Sequence, residues 1–186
     1  MNILTIPQMI LTPRDSWLEL EKMRPSMASL FSSLILPLSV LPPLLLYYAG
    51  THYGDAFATG FGSKPWATIA VVFFLAEALT FVGMGWFIGQ VAAAHKVQVT
   101  KRNAYLLAGI APAPLWLSSL ALLVPSLAFN VSAVLLALAL TCVLVHQGVY
   151  ALCHMYEEIT AAAITQTVMG AGLIAWALLL LIIVAL

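Results

Sequence analysis

Charged side chains are scarce in this sequence. Asp, Glu, Lys and Arg make up 8% of its residues, against about 25% in ordinary soluble domains, while hydrophobic residues make up 63%. So small a charged fraction excludes an ordinary soluble domain and indicates a membrane protein. The formal net charge is +0 at pH 7, so no basic field indicates a nucleic-acid partner.

Cysteines and catalytic signatures are also nearly absent. The two cysteines, Cys142 and Cys153, lie in or beside one apolar run, which excludes a disulfide framework. The sequence has no P-loop, no G-x-S-x-G and no H-E-x-x-H, and no paired membrane aspartates. The opening MNILTIPQMILTPRD has no basic stretch before its apolar residues, so we expect no cleaved signal peptide. We therefore predict neither an enzyme nor a cofactor.

What the sequence has in abundance is long apolar runs. A transmembrane helix needs about 20 such residues, and five runs meet that length. They predict an all-α integral membrane protein with helices at Ala28–Gly50, Trp66–Ala94, Ala104–Val124, Val131–Leu152 and Ala163–Leu186. Residues 1–27 would form a cytoplasmic segment, and residues 28–186 the transmembrane domain.

Basic residues indicate the orientation of the spans. If the spans alternate in direction, only Lys64 lies on one side of the membrane. The other six basic residues share the opposite side: Arg14, Lys22, Arg24, Lys96, Lys101 and Arg102. The positive-inside rule then predicts a cytoplasmic N-terminus and, after five crossings, an external C-terminus.

The segment TPRDSWLELEKMRPS, before the first span, has the pattern of a short helix. Thr12 can cap it, Pro13 suits the first helical position, and Asp15 falls where a capping acid reaches back. Trp17 belongs to its apolar side and is a residue that favours membrane interfaces. We predict an interfacial helix on the cytoplasmic surface; the alternative is a helix that frays or packs on the loops.

Glu77 lies in the middle of the second apolar run, VVFFLAEALTFVGMGW. A carboxylate at the bilayer midplane costs several kcal/mol, so such residues face the bundle interior and are often functional. Two interpretations remain open. Glu77 is either a functional acid or a neutral side chain that donates one hydrogen bond to a backbone carbonyl.

Prolines interrupt two of the predicted spans. Pro112 and Pro114 should free the carbonyls of Ala108 and Ile110, and Pro37 that of Ser33. Lipid offers no water to these carbonyls, so neighbouring groups must satisfy them. We predict a small polar binding pocket at mid-depth, formed by Glu77, Pro112, Pro114 and Ser33. The alternative is a set of kinks that only shape the packing.

The segment CHMYEE offers the nearest approach to a metal cluster. A helix would place Cys153 beside Glu157 and His154 beside Glu158. Zinc takes three or four protein ligands, so we predict no metal site and interpret the segment as a polar joint between spans. We interpret His146 as a side chain solvated at headgroup level.

Three stretches together resemble the Ypt-interacting-protein (Yip) family, in its bacterial inner-membrane branch. LTPRDSWLELEK is similar to that branch's opening Pro-x-x-x-Trp segment, here Pro13 and Trp17. SLILPLSVLPPLL resembles its proline-bearing first span. AYLLAGIAPAPLWLSSLALLVP resembles its third span, the most specific of the three matches.

The resemblance implies a multi-pass protein of the bacterial inner membrane with no catalytic residues to transfer. Eukaryotic members are tied to vesicle traffic and Rab-type GTPases through a longer N-terminal region. That region is short in this sequence and has no match to its GTPase-linked motif, so we do not carry GTPase binding over. We expect a non-enzymatic protein that organises membrane lipids or partner proteins, as a homo-oligomer or within a membrane-protein complex. The alternative function is a small proton-linked transporter or channel that uses Glu77.

Overall fold

The computed structural model of the chain describes residues 13–23, 26–153 and 157–186. Every regular element in these ranges is helical, and five helical runs are long and apolar enough to cross a membrane. They are called here the first to the fifth span: Ala28–Ala56, Trp66–Ala94, Lys101–Leu123, Leu127–Leu152 and Glu158–Ala185. The predicted fold class, an all-α integral membrane protein with five transmembrane helices, is confirmed.

Several spans begin earlier than their apolar runs because polar caps, and not hydropathy, fix the helix ends. The Thr100 side chain accepts a hydrogen bond from the Asn103 amide, and the third span starts at Lys101. The Ser126 side chain accepts one from the Phe129 amide and starts the fourth span at Leu127. Such caps satisfy amides that have no partner within the helix.

The second span lies at the centre of the packing. Its 29 residues extend about 43 Å at a rise of about 1.5 Å per residue, more than the hydrocarbon core of about 30 Å. It packs against the first, third and fifth spans, while the fourth packs against the third and fifth. All five spans contribute to one buried apolar cluster, which includes Leu34, Ile88, Leu107, Leu144 and Ile164.

The N-terminal helix, Pro13–Met23, packs on the fourth span. Trp17 and Leu20 are 0% and 3% exposed. A Cβ on Gly148 of the fourth span would lie 3.1 Å from the Trp17 ring, so the glycine admits the indole. The helix is present as predicted, but protein covers Trp17 where we had expected the lipid interface. Thr12, its predicted cap, lies outside the described residues.

Two polar contacts show which span ends lie together. Lys64 Nζ donates to the carbonyls of Ile183, at 3.0 Å, and Val184, at 2.9 Å. The start of the second span therefore meets the end of the fifth. Lysine suits this position because carbonyls at a helix C-terminus carry partial negative charge.

At the opposite end of the bundle, Asn103 Nδ2 donates to Glu21 Oε1 at 2.8 Å and to the Leu152 carbonyl at 3.2 Å. The N-terminal helix, the start of the third span and the end of the fourth therefore meet there. We call this the basic end, because Lys22 and Lys101 are exposed on it. Successive spans alternate in direction, as the charge argument assumed.

The first span remains helical through all three of its prolines. A π-helix, Phe31–Ile35, precedes the main helix, Leu36–Tyr53. The Leu36 amide donates to the Phe31 carbonyl, five residues back. This wider turn absorbs the bond that Pro37 cannot make, and such π-bulges recur at functional sites.

The third span is broken. A helix over Lys101–Ile110 ends, Ala111 and Pro112 form a turn, and a second helix covers Ala113–Ser118. A 3-10 helix, Ser119–Leu123, completes the span. Pro114 lies in the first turn of the second helix, where a missing amide N–H costs little. The prolines thus end one helix and begin the next.

Candidate functional site at mid-span and at the basic end

Glu77 is buried within the second span, 8% exposed. The Trp116 side chain of the third span lies within hydrogen-bonding reach of its carboxyl group. Glu77 therefore faces the bundle interior, where an acidic side chain avoids the high cost of exposure to lipid.

The break in the third span is what brings Trp116 to this position. The Trp116 amide donates to the Pro112 carbonyl at 3.1 Å, in the first turn of the short helix that follows the break. Pro114 is buried in that turn and Pro112 caps it. The two predicted proline sites therefore act on Glu77 through the indole that they position.

The carboxyl group is only partly satisfied. Glu77 Oε2 is enclosed and has no hydrogen-bond partner among the described residues. Neither Ala108 nor Ile110, whose carbonyls the prolines free, therefore bonds this oxygen. An enclosed polar atom without a partner costs about 1–3 kcal/mol, so this oxygen has an unmet need for a hydrogen bond.

Ser33, the fourth residue of the predicted pocket, is engaged elsewhere. Its hydroxyl donates to the Ser29 carbonyl of its own helix at 2.6 Å, and its side chain is exposed. A serine that bonds the carbonyl four residues back satisfies itself without a neighbouring span. The structure thus groups Glu77 with Trp116 and the two third-span prolines, but not with Ser33.

A second polar group, at the basic end, was not predicted from the sequence. Asn103, 6% exposed, joins Glu21 of the N-terminal helix to the Leu152 carbonyl at the end of the fourth span. The one available signal was its place three residues after the cap residue Thr100. That pattern indicates a helix start, and it does not reveal which partners the Asn103 side chain reaches.

Trp17 completes the attachment at the basic end. Its ring is fully buried, and its Nε1 has no hydrogen-bond partner among the described residues. Hydrophobic packing, rather than hydrogen bonding, therefore holds the indole. The N-terminal helix is fastened to the spans by this ring and by the Glu21–Asn103 contact.

His146 lies between the fourth and fifth spans. Its Nδ1 is 3.3 Å from Thr165 Oγ1, and Thr165 is 6% exposed. The Thr165 hydroxyl also donates to the Ala161 carbonyl at 2.8 Å. His146 is half-buried, so it contributes to the contact between two spans as well as being open to its surroundings.

The segment CHMYEE forms the joint between the fourth and fifth spans, and only part of it lies within the described residues. In the ranges that the structure describes, no three His, Cys, Asp or Glu side chains are grouped as ligands would be; His154 is outside them. Burial raises the pKa of the Cys153 thiol to about 11, and a metal requires the thiolate. Glu157 Oε2 accepts a hydrogen bond from Thr160 at 2.9 Å.

Comparison with known proteins gives one positive result. The family model of the Yip1 domain matches residues 8–186, nearly the whole chain. No curated protein and no solved structure matches the chain.

Proposed function

This chain belongs to the Yip1 domain family, and from that premise we propose that it is a non-enzymatic organiser of the membrane. It gathers lipid or partner proteins around itself in the bilayer and works as a homo-oligomer or within a membrane-protein complex. Its contact surface is the basic end, together with the N-terminal helix fastened there.

One observation carries this proposal: the N-terminal helix is part of the bundle. Trp17 is 0% exposed against the fourth span, and Glu21 is bonded to Asn103 of the third. The opposite side of the same helix remains exposed and polar, with Glu19 and Lys22. A helix held in one place presents these charges in a fixed pattern, and fixed charge patterns select partners.

The experiment measures clustering in proteoliposomes. Two differently labelled batches of the full chain are reconstituted together, and energy transfer between copies is compared with that of a random distribution. We expect transfer above random for the natural chain, and close to random for Trp17→Ala, which releases the N-terminal helix. Random transfer for the natural chain at every protein density would overturn the proposal.

Two tryptophan variants serve as controls. Trp17→Phe should still cluster, because Trp17 Nε1 has no partner to lose among the described residues. Trp86→Ala should also cluster, because Trp86 is 62% exposed on the second span. If Trp17→Ala unfolds, the helix can instead be loosened by Asn103→Ala, which removes the hydrogen bonds to Glu21 and to the Leu152 carbonyl and retains the buried indole.

A proton-linked transporter is the second candidate, and the unpartnered Glu77 Oε2 favours it. An enclosed acid with one indole neighbour could exchange a proton with a transported group. A pH-sensitive dye in the same proteoliposomes tests this function. Proton flux in the natural chain that Glu77→Gln abolishes would establish transport and displace the organising role.

For location we propose the bacterial inner membrane, with the basic end in the cytoplasm. The exposed Lys22 and Lys101 lie at that end, and Lys64 at the other. Fusions of a cytoplasm-active and an exterior-active reporter to each terminus test the orientation. An N-terminus that reports from outside would reverse it.

A further inference from the structure

The first three spans line an open groove of about 500 Å³ near the basic end. Its apolar lining includes Phe31 and Ile35 from the first span, Phe81 from the second and Tyr105 from the third. The lining also includes Lys101 and Arg102, the first two residues of the third span. Ligand sites commonly measure about 300–1,000 Å³, so the groove is large enough for part of a lipid.

The apolar wall is built from aromatic rings in mutual contact. The ring centroids of Phe31 and Phe81 are 6.2 Å apart, and those of Phe81 and Tyr105 are 5.9 Å apart. The Phe31 side chain is 43% exposed, so the wall is open to the surroundings. In a membrane those surroundings are acyl chains.

Local backbone features shape this wall. A Cβ on Gly85 would overlap the Tyr105 ring, so the glycine lets that ring approach the second span closely. Gly109 admits Ile35 and Phe81 in the same way. Phe31 and Ile35 are the first and last residues of the π-helix. The π-helix and two close helix contacts thus converge on one groove.

Two basic side chains, those of Lys101 and Arg102, line the mouth of the groove. Lys101 is exposed at the first position of a 10-residue helix, Lys101–Ile110. The third span covers 23 residues, about 35 Å at a rise of about 1.5 Å per residue, so its first residues reach the headgroup layer. The helix N-terminus adds partial positive charge to that of the two side chains.

We propose that this groove binds one anionic phospholipid. An acyl chain lies along Phe31, Phe81 and Tyr105, and the phosphate group meets Lys101 and Arg102. A free phosphate ion would satisfy the mouth and leave the aromatic wall without a partner. This inference deepens the proposed function, on which it rests, by naming the class of lipid that the protein gathers.

The experiment is native mass spectrometry of the full chain released from mixed vesicles of phosphatidylglycerol and phosphatidylcholine. We expect one phosphatidylglycerol to be retained in preference to phosphatidylcholine. Lys101→Gln combined with Arg102→Gln should weaken the affinity for phosphatidylglycerol about thirtyfold, as expected for losing two headgroup contacts that contribute about 1 kcal/mol each. Ala28→Phe, at the exposed edge of the groove, should obstruct it while leaving every charge in place.

The control removes the same amount of charge from the same end. Lys22 and Lys96 are exposed and are not among the groove's lining residues, so their double Gln variant should retain the lipid. Equal loss in both double variants, or no effect of Ala28→Phe, would overturn the groove as the site. If inorganic phosphate displaced the retained phosphatidylglycerol as effectively as added lipid does, the groove would be a site for anions and the proposed lipid site would be wrong.

Clustering and lipid retention are separate measurements, so each idea can fail alone. Unchanged retention in the groove variants, with clustering intact, overturns the lipid site and leaves the organising role. Retention that depends on the groove, with no clustering in the natural chain, overturns the organising role and leaves the lipid site.

Discussion

The first and third spans both carry prolines within apolar runs, yet their backbones respond differently. In the first, a π-helix over Phe31–Ile35 takes up the missing bond and the helix continues to Tyr53. In the third, the helix stops at Ile110 and restarts at Ala113. The missing amides of Pro112 and Pro114 fall at a helix end and a helix start, where amides and carbonyls lack helical partners anyway.

The side chains of the two spans differ accordingly. Ser33 of the first span is exposed and bonds its own backbone. Trp116 of the third is buried and reaches Glu77 on the neighbouring span. The comparison teaches that the same residue type can act on its surroundings in two ways. The break in the third span places Trp116 beside Glu77, whereas the widened turn of the first span keeps the helix continuous and presents Phe31 and Ile35 to the groove.

The largest effect is expected from Trp116→Ala. It should lower the free energy of unfolding by about 3–5 kcal/mol, since it removes a buried indole and leaves a cavity. The matched change in the first span is Tyr47→Ala. Tyr47 is 46% exposed, and about 1 kcal/mol or less is expected there. Reversible unfolding in mixed micelles measures both, and similar values would remove the distinction between the spans.

Glu77 comes next. Glu77→Leu should destabilise by about 1–3 kcal/mol, because the Trp116 indole loses its acceptor in a buried site. Glu77→Gln keeps an acceptor oxygen and should remain close to the natural chain. The same unfolding titration separates the two variants. A Leu variant as stable as the natural chain would mean that Glu77 and Trp116 do not depend on each other.

A smaller effect is expected from Pro112→Ala. Alanine makes the unfolded chain more flexible, which should lower the free energy of unfolding by about 0.4–1 kcal/mol. We expect the packing of Trp116 and Pro114 to keep the break in place. Hydrogen exchange at the new residue-112 amide reports on the backbone. A strongly protected amide together with increased stability would show that the proline alone makes the break.

The smallest effects concern two serines. Ser33→Ala should change stability by less than about 0.5 kcal/mol, since the side chain is exposed and bonds only its own helix. Ser119, in the third span, is 9% exposed and donates to the Trp116 carbonyl at 2.6 Å. Ser119→Ala should therefore cost more, about 0.5–1.5 kcal/mol. A larger loss of stability for Ser33→Ala than for Ser119→Ala would contradict the contrast between the self-satisfied first span and the tightly packed third span.

Much of the candidate site could be anticipated from single residues. An acid inside an apolar run must turn inward, and Glu77 does. Two prolines two residues apart must disturb a helix, and Pro112 and Pro114 break it. Single residues did not reveal the surroundings of Ser33, which we had grouped with Glu77 and whose hydroxyl instead bonds the Ser29 carbonyl of its own helix. A serine can satisfy a hydrogen bond on its own helix, and no sequence pattern shows whether it will.

The sequence by itself determined the five spans and the helix that begins at Pro13, because hydropathy and helix-start residues act locally along the chain. Only the tertiary structure decided that Trp17 is buried in the bundle, and not placed at the lipid interface, and that Trp116 lies beside Glu77. It also decided that Asn103 joins two other helices. These choices depend on which surfaces meet when helices pack in lipid, where close fit and interhelical hydrogen bonds, rather than hydrophobicity, select the contacts.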